Sequence, residues 1–198
     1  MSPSPIAHSA MGFLIFWIFR KGVPPGFKKQ AKSWLLLLGM AVFFSMLPDI
    51  DVVPGILLGD FVGYHNQGTH SLLIGLGVAI AVGLILMRRY RRFWLWFWIA
   101  LAGYTFHVIM DYFTTGERGV MLFWPLSSDR FVSPFKIFYG VRWSEGLLHP
   151  AHLLTVGSEL AFVGVIILIA YLMERKTGIT KIKREKRAVE VNRYTEGD

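Results

Sequence analysis

The chain has 198 residues and a formal charge of +8, with 54% hydrophobic and only 17% charged residues, against about 25% charged in an ordinary soluble domain. Its mean hydropathy is +0.46, and several apolar runs approach the roughly 20 residues that a helix needs to cross about 30 Å of hydrocarbon. These values argue against a large soluble enzyme, and the absence of cysteine excludes disulfides, thiolate metal sites and a cysteine nucleophile.

Continuous apolar character predicts five spans, at 5–19, 33–48, 71–87, 93–110 and 153–173. The first has no basic residue before its apolar run and is followed by Arg20 and Lys21. That is the reverse of a cleavable signal peptide, so it reads as a retained helix with its N-terminus outside. The connection after it holds Arg20, Lys21, Lys28, Lys29 and Lys32; the one after the third span holds Arg88, Arg89, Arg91 and Arg92; the tail adds eight more, from Arg175 to Arg193. Seventeen of the 21 basic residues thus fall on one side, and retention of Lys and Arg in the cytoplasm makes that the inner side. Trp17, Trp34 and Trp94 beside these clusters suit anchors at the headgroup level.

The expected fold is all-α: a polytopic membrane protein of about five transmembrane helices, N-terminus out and C-terminus in. A transmembrane domain covers 1–176, and a basic, disordered tail covers 177–198. The connections 49–70 and 111–152 lie outside. The basic run from Lys181 to Arg187 reads as retention on an anionic inner leaflet, and no nucleic-acid partner is expected.

All six histidines, His8, His65, His70, His107, His149 and His152, fall on the outer face or within about two helical turns of it in this topology. Ionisable residues at membrane depth are costly and usually functional. His107 and Asp111, four residues apart on one helix, share a face and can grip one cation or simply bond to each other. Asp49 and Asp51 lie in Pro48-Asp49-Ile50-Asp51, where the proline favours a break that turns both carboxylates to a site; either can instead cap a helix or stand in solvent. In His65-Asn66-Gln67-Gly68-Thr69-His70-Ser71, Thr69 or Ser71 can cap the third span and bring His70 to its first turn. Glu159 stands among apolar neighbours and requires a cation or a donor, with His152 seven residues earlier on the same helical face. His149 reads as an interfacial residue marking the entry to that helix.

The order of His8, the segment 48–51, His65 with Thr69-His70-Ser71, His107 with Asp111, Gly116, Gly119 and Leu122-Phe123-Trp124-Pro125 resembles the LexA-regulated, membrane-bound metal-dependent hydrolases of the YdjM type. The resemblance covers residues 6 to about 160. It implies a helical inner-membrane hydrolase, similar in ligand pattern to zinc-dependent phospholipases C and single-strand-specific nucleases. Carried over, the metal ligands are His8, Asp49, Asp51, His65, His70, His107, Asp111 and Glu159. Asp51 or Asp49 is the natural bridge or general base, and Glu159 ligates a metal or orients water. Asn66 departs from the arginine usual in the family, and the histidine that the soluble enzymes place soon after HxxxD is absent, so three metals is an upper count.

Taken with the topology, this leads to a site for two divalent metals at the outer boundary. Zinc is the first choice for imidazole and carboxylate ligands, with Mn2+ or Fe2+ the alternatives. The expected reaction is phosphoester cleavage in a lipid or lipid-linked headgroup. Of the outer basic residues Arg118, Arg130, Lys136 and Arg142, Arg130 and Lys136 are the candidates for binding substrate phosphate. The competing reading is a divalent-cation or proton transporter or channel using the same cluster. The topology predicts that the sole thiol of an Arg89→Cys variant stays unlabelled by an impermeant reagent in intact cells and reacts after lysis; labelling from outside would overturn it.

Overall fold

A computed structural model describes residues 3–23, 31–115, 118–141, 149–150 and 152–195. Lys28, Lys29, Gly116 and Arg142 lie outside the described residues. Helix α1 (Pro5–Phe19) begins at Ser4, whose side chain accepts the Ile6 N–H at 3.2 Å, with proline at its first position, where the missing N–H costs nothing. Helix α2 (Ala31–Met46) is followed by a 3-10 turn, Leu47–Asp51, with Pro48 near its start. A short α3 (Val52–Leu58) ends at Gly59 in the left-handed conformation, and α4 (Phe61–Tyr64) follows. Helix α5 (Leu72–Tyr90) is capped by Ser71, and α6 (Phe93–Tyr112) and α7 (His152–Thr195) complete the chain. Among the described residues there are no strands, only isolated bridges Thr114 to Phe138 and Val120 to Phe131 in the loop between α6 and α7.

One expectation is corrected. The second apolar stretch does not end at 48 but runs Ser33–Leu58. Proline is tolerated in the opening turn of a helix, so Pro48 tightens the backbone into the 3-10 turn without ending it, and Val52 to Leu58 continue both helical and apolar. Helix α7 runs on past 177 to Thr195, through a segment rich in lysine, arginine and glutamate, all good helix formers.

Among the described residues, four stretches are long and apolar enough to cross a membrane: Ser33–Leu58, Leu72–Tyr90, Phe93–Tyr112 and His152–Lys176. The fifth expected span, α1, has 15 residues, about 22 Å of helix. It packs against α2, α6 and α7, while α6 also packs against α2 and α5. Ser4 meets Glu159 at one end of α1, and Arg20 meets Glu174 at the other, so α1 and α7 run parallel, as a first and a fifth span would.

Without a hydrophobic force between helices in lipid, close packing rests on small residues. A Cβ at Gly12 of α1 would lie 2.7 Å from both Ser45 Oγ and Val42 Cα, and one at Gly103 of α6 would lie 2.9 Å from Phe44 Cβ and 3.0 Å from Ser45 N. Both helices therefore press their backbones onto the last turn of α2. Gly103→Ala should lower stability by about 1–3 kcal/mol. Gly77→Ala, where nothing lies within 4 Å, should be neutral or stabilising. Thermal unfolding in detergent compares the two, and equal effects would count against the close approach.

Candidate metal centre

The two glycine contacts set the positions of two histidines. His8 lies one turn before Gly12 on α1, and His107 one turn after Gly103 on α6, so both rings project beyond the point where α1, α2 and α6 touch. They stack, with centroids 3.8 Å apart. Asp111 follows His107 by one turn on the same face, Asp49 comes from the 3-10 turn after α2, and His65 and His70 come from the loop that enters α5. His8, His70, His107 and Asp111 are each fully buried.

Four of these atoms converge. His70 Nε2 lies 3.4 Å from Asp49 Oδ1, 3.0 Å from Asp111 Oδ2 and 3.2 Å from His107 Nε2; His107 Nε2 lies 3.4 Å from Asp49 Oδ1 and 3.6 Å from Asp111 Oδ2. Ligand atoms held about 2.0–2.1 Å from a tetrahedral zinc are separated by about 3.3 Å. Asp49 Oδ1, both oxygens of Asp111 and both ring nitrogens of His8 are buried without a hydrogen bond, although buried polar atoms are normally bonded. The residues fit a divalent metal, and Asp49, His65, His70 and Asp111, or His8, His107 and Asp111, form groups able to hold one.

Electrostatics agree. Burial opposes charging the His70 ring, but the carboxylates of Asp111, Asp49 and Asp51 outweigh it and hold its pKa well above the ordinary histidine value. The field at this point favours positive charge.

A further set of residues orients the ligands. His107 Nδ1–H donates to the Ser45 carbonyl at 2.8 Å, which leaves Nε2 as the lone-pair nitrogen facing the cluster. His70 Nδ1 lies 3.2 Å from Asp51 Oδ2 and 3.2 Å from Thr69 Oγ1, and Thr69 donates to Asp51 Oδ2 at 2.7 Å. Asp51 Oδ1 also meets His65 Nδ1 at 3.4 Å. A carboxylate behind a ligating imidazole fixes the tautomer and the ring plane, and that is where Asp51 stands: it belongs to neither metal-holding group. The loop itself is held by Arg130, which donates to the carbonyls of Asn66 and Gly119 and to Gln67 Oε1 at 3.0–3.1 Å. Ser71 Oγ donates to the Trp124 carbonyl at 2.7 Å, and the Trp124 indole packs on Gly68. Tyr104 donates its hydroxyl proton to the Thr69 carbonyl.

The structure does not bring Glu159 into either metal-holding group. Its carboxylate accepts from the N–H and hydroxyl of Ser4, the donors that its apolar surroundings require. Lys136 is exposed, and the His149 and His152 rings, 6.5 Å apart, pair with each other. Sequence reasoning missed Ser45, which acts through a backbone carbonyl and so leaves no trace in side-chain type, and Ser4, whose only signal is its place before Pro5.

His70→Ala and Asp111→Asn are expected to abolish copurification of metal. Thr69→Val should weaken metal affinity about 10–100-fold. Metal analysis after chelator-free purification, with competitive titration, reads both; a metal-free wild type would refute the assignment.

The comparisons with known proteins converge on one family. The YdjM inner membrane protein family matches residues 4–180. The chain is 32% identical over 143 residues to the inner membrane protein YbcI of Escherichia coli (strain K12), covering 68% of this chain and 75% of that relative. No solved structure matches. With the match running through every helix that contributes to the cluster, the chain belongs to the YdjM inner membrane protein family.

Proposed function

We propose that this protein is a membrane-embedded, metal-dependent hydrolase that cleaves a phosphoester of a lipid or lipid-linked headgroup at the outer membrane face, with zinc as its metal. The observation that carries this reading is the set of ligand separations, 3.0–3.6 Å among His70, His107, Asp49 and Asp111, with the two histidines and Asp111 fully buried.

Asp111 belongs to both groups able to hold a metal: its Oδ2 faces His70 and His107, while its Oδ1 faces His8 Nε2 at 3.5 Å. A metal held by Asp49, His65, His70 and Asp111 would have four protein ligands, and one held by His8, His107 and Asp111 would have three, which would leave a position for water or substrate, as hydrolytic sites require. A divalent metal supplies a Lewis acid for a phosphoryl oxygen and lowers the pKa of water. The chain's own residues do the rest: Asp51 and Thr69 orient His70, the Ser45 carbonyl fixes the tautomer of His107, Glu159 anchors the start of α1 one turn before His8, and Arg130 holds the loop carrying His65 and His70.

A lipid substrate is supported by the exposed apolar side chains around this end of the molecule, among them Val53, Ile56 and Leu57 on α3 and Phe123, Trp124 and Leu126 in the loop between α6 and α7. Transporters place their sites near the midplane between repeats. Here the ligands gather at one end of the helices, and the hydrolytic reading is preferred.

The test is phosphate or headgroup release from lipid monoesters, diesters and diphosphates by zinc-loaded protein, run beside cation flux in proteoliposomes. Turnover should vanish with chelator and return with zinc, and His8→Ala should reduce it about 100-fold or more while one metal stays bound. Flux without turnover would replace the hydrolase by a transporter.

A further inference from the structure

The end of the bundle remote from the metal cluster carries four arginines in five positions, Arg88, Arg89, Arg91 and Arg92, at the turn from α5 to α6. The distribution of basic residues assigns this end to the cytoplasm. Among the described residues, no carboxylate comes within ion-pair distance of any of the four, whereas Arg20, at the adjoining end of α1, is paired with Glu174 and stacked on Trp17. The arginines frame two adjoining clefts. One, of about 360 Å3, is lined by Arg91 and Arg92 together with Phe19, Trp94, Leu95 and Trp98. The other, of about 430 Å3, is lined by Met87, Arg88 and Arg91.

We propose that the larger-walled cleft between the end of α1 and the start of α6 binds the headgroup of an anionic phospholipid of the inner leaflet. A guanidinium presents a planar fork that matches phosphate oxygens in pairs, and Arg91 and Arg92 bring two such forks to one cleft. The remaining wall is aromatic and aliphatic, which a free anion does not need and an acyl chain does. Trp94 and Trp98, one turn apart on α6, are 65% and 48% exposed, the placement of residues that sit between headgroups and chains. Arg91 lines both clefts from a left-handed backbone position, φ 52°, that closes α5, where glycine is the usual residue. A basic pocket between membrane helices on the cytoplasmic side is the form that anionic-lipid sites take. This site is independent of the hydrolase reading, since it lies at the other end of the helices.

The experiment is thermal unfolding of the full-length protein in mild detergent, titrated with phosphatidylglycerol, with phosphatidylcholine of the same chain length, and with inorganic phosphate. Phosphatidylglycerol should raise the transition by about 4 °C or more beyond phosphatidylcholine, and phosphate alone should do nothing. In an Arg91→Gly, Arg92→Gln variant most of that difference should disappear. Glycine suits the backbone at 91, so the variant should fold; Arg92→Gln alone, expected to halve the response, provides a second reading. Equal stabilisation by phosphatidylcholine, a full response from phosphate alone, or an undiminished phosphatidylglycerol response in the variants would each overturn the proposal.

Discussion

Asp111 ends α6 with a carboxylate that is fully buried and lacks a hydrogen bond on either oxygen, and the surrounding helices are arranged about it. An ionised carboxylate removed from water is strongly destabilising unless a cation answers it. Two carboxylates and four imidazoles converge here, and their collected lone pairs would give a cation the contacts that water no longer provides. Bringing those groups together requires α1 and α6 to reach α2 at backbone distance, which Gly12 and Gly103 allow. The small residues of the packing interface and the ligands one turn away are thus parts of one device. Bulk at the first would spread the second.

The holders of the ligands differ in kind from the ligands. Ser45 works through its carbonyl, Thr69 and Asp51 through the far nitrogen of His70, and Arg130 through two carbonyls and an amide. None needs to touch a substrate to matter. They hold the loop before α5 as a surface that presents His65 and His70 in fixed orientations. The two ends of the molecule are chemically opposite: one gathers acids and imidazoles inside the packing, and at the other Arg88, Arg89, Arg91 and Arg92 stand at the rim with no carboxylate partner among the described residues.

Much of this was legible in the sequence because membrane helices announce themselves by continuous apolar runs. α1 occupies the residues expected of it, Ser71 caps α5 as the local pattern suggests, and the His107 and Asp111 pair meets the remaining ligands. What escaped was whatever depends on backbone direction. Pro48 suggested a break, yet the chain continues as a 3-10 turn and a further helix, and this sends Asp49 into the cluster while Asp51 lies behind the histidines. Composition cannot tell those two acids apart, since they differ only in where successive side chains point. Glu159 shows the same limit: the need for a donor was readable, but that Ser4 supplies it depends on α1 and α7 lying parallel.

The modest length of α1 shapes the surface beside Ser4. Glu159 faces the first turn of α1 and lies seven residues into α7, so α7 continues about 10 Å beyond the point where α1 starts. The difference in height leaves a vestibule of about 200 Å3, lined by Ser4, Ile6, Val141, His152, Thr155, Val156 and Glu159, one helical turn above His8. None of the side chains lining this hollow belongs to the metal-holding groups; it is a separate feature of the short helix, and Glu159 joins its two helix walls through Ser4.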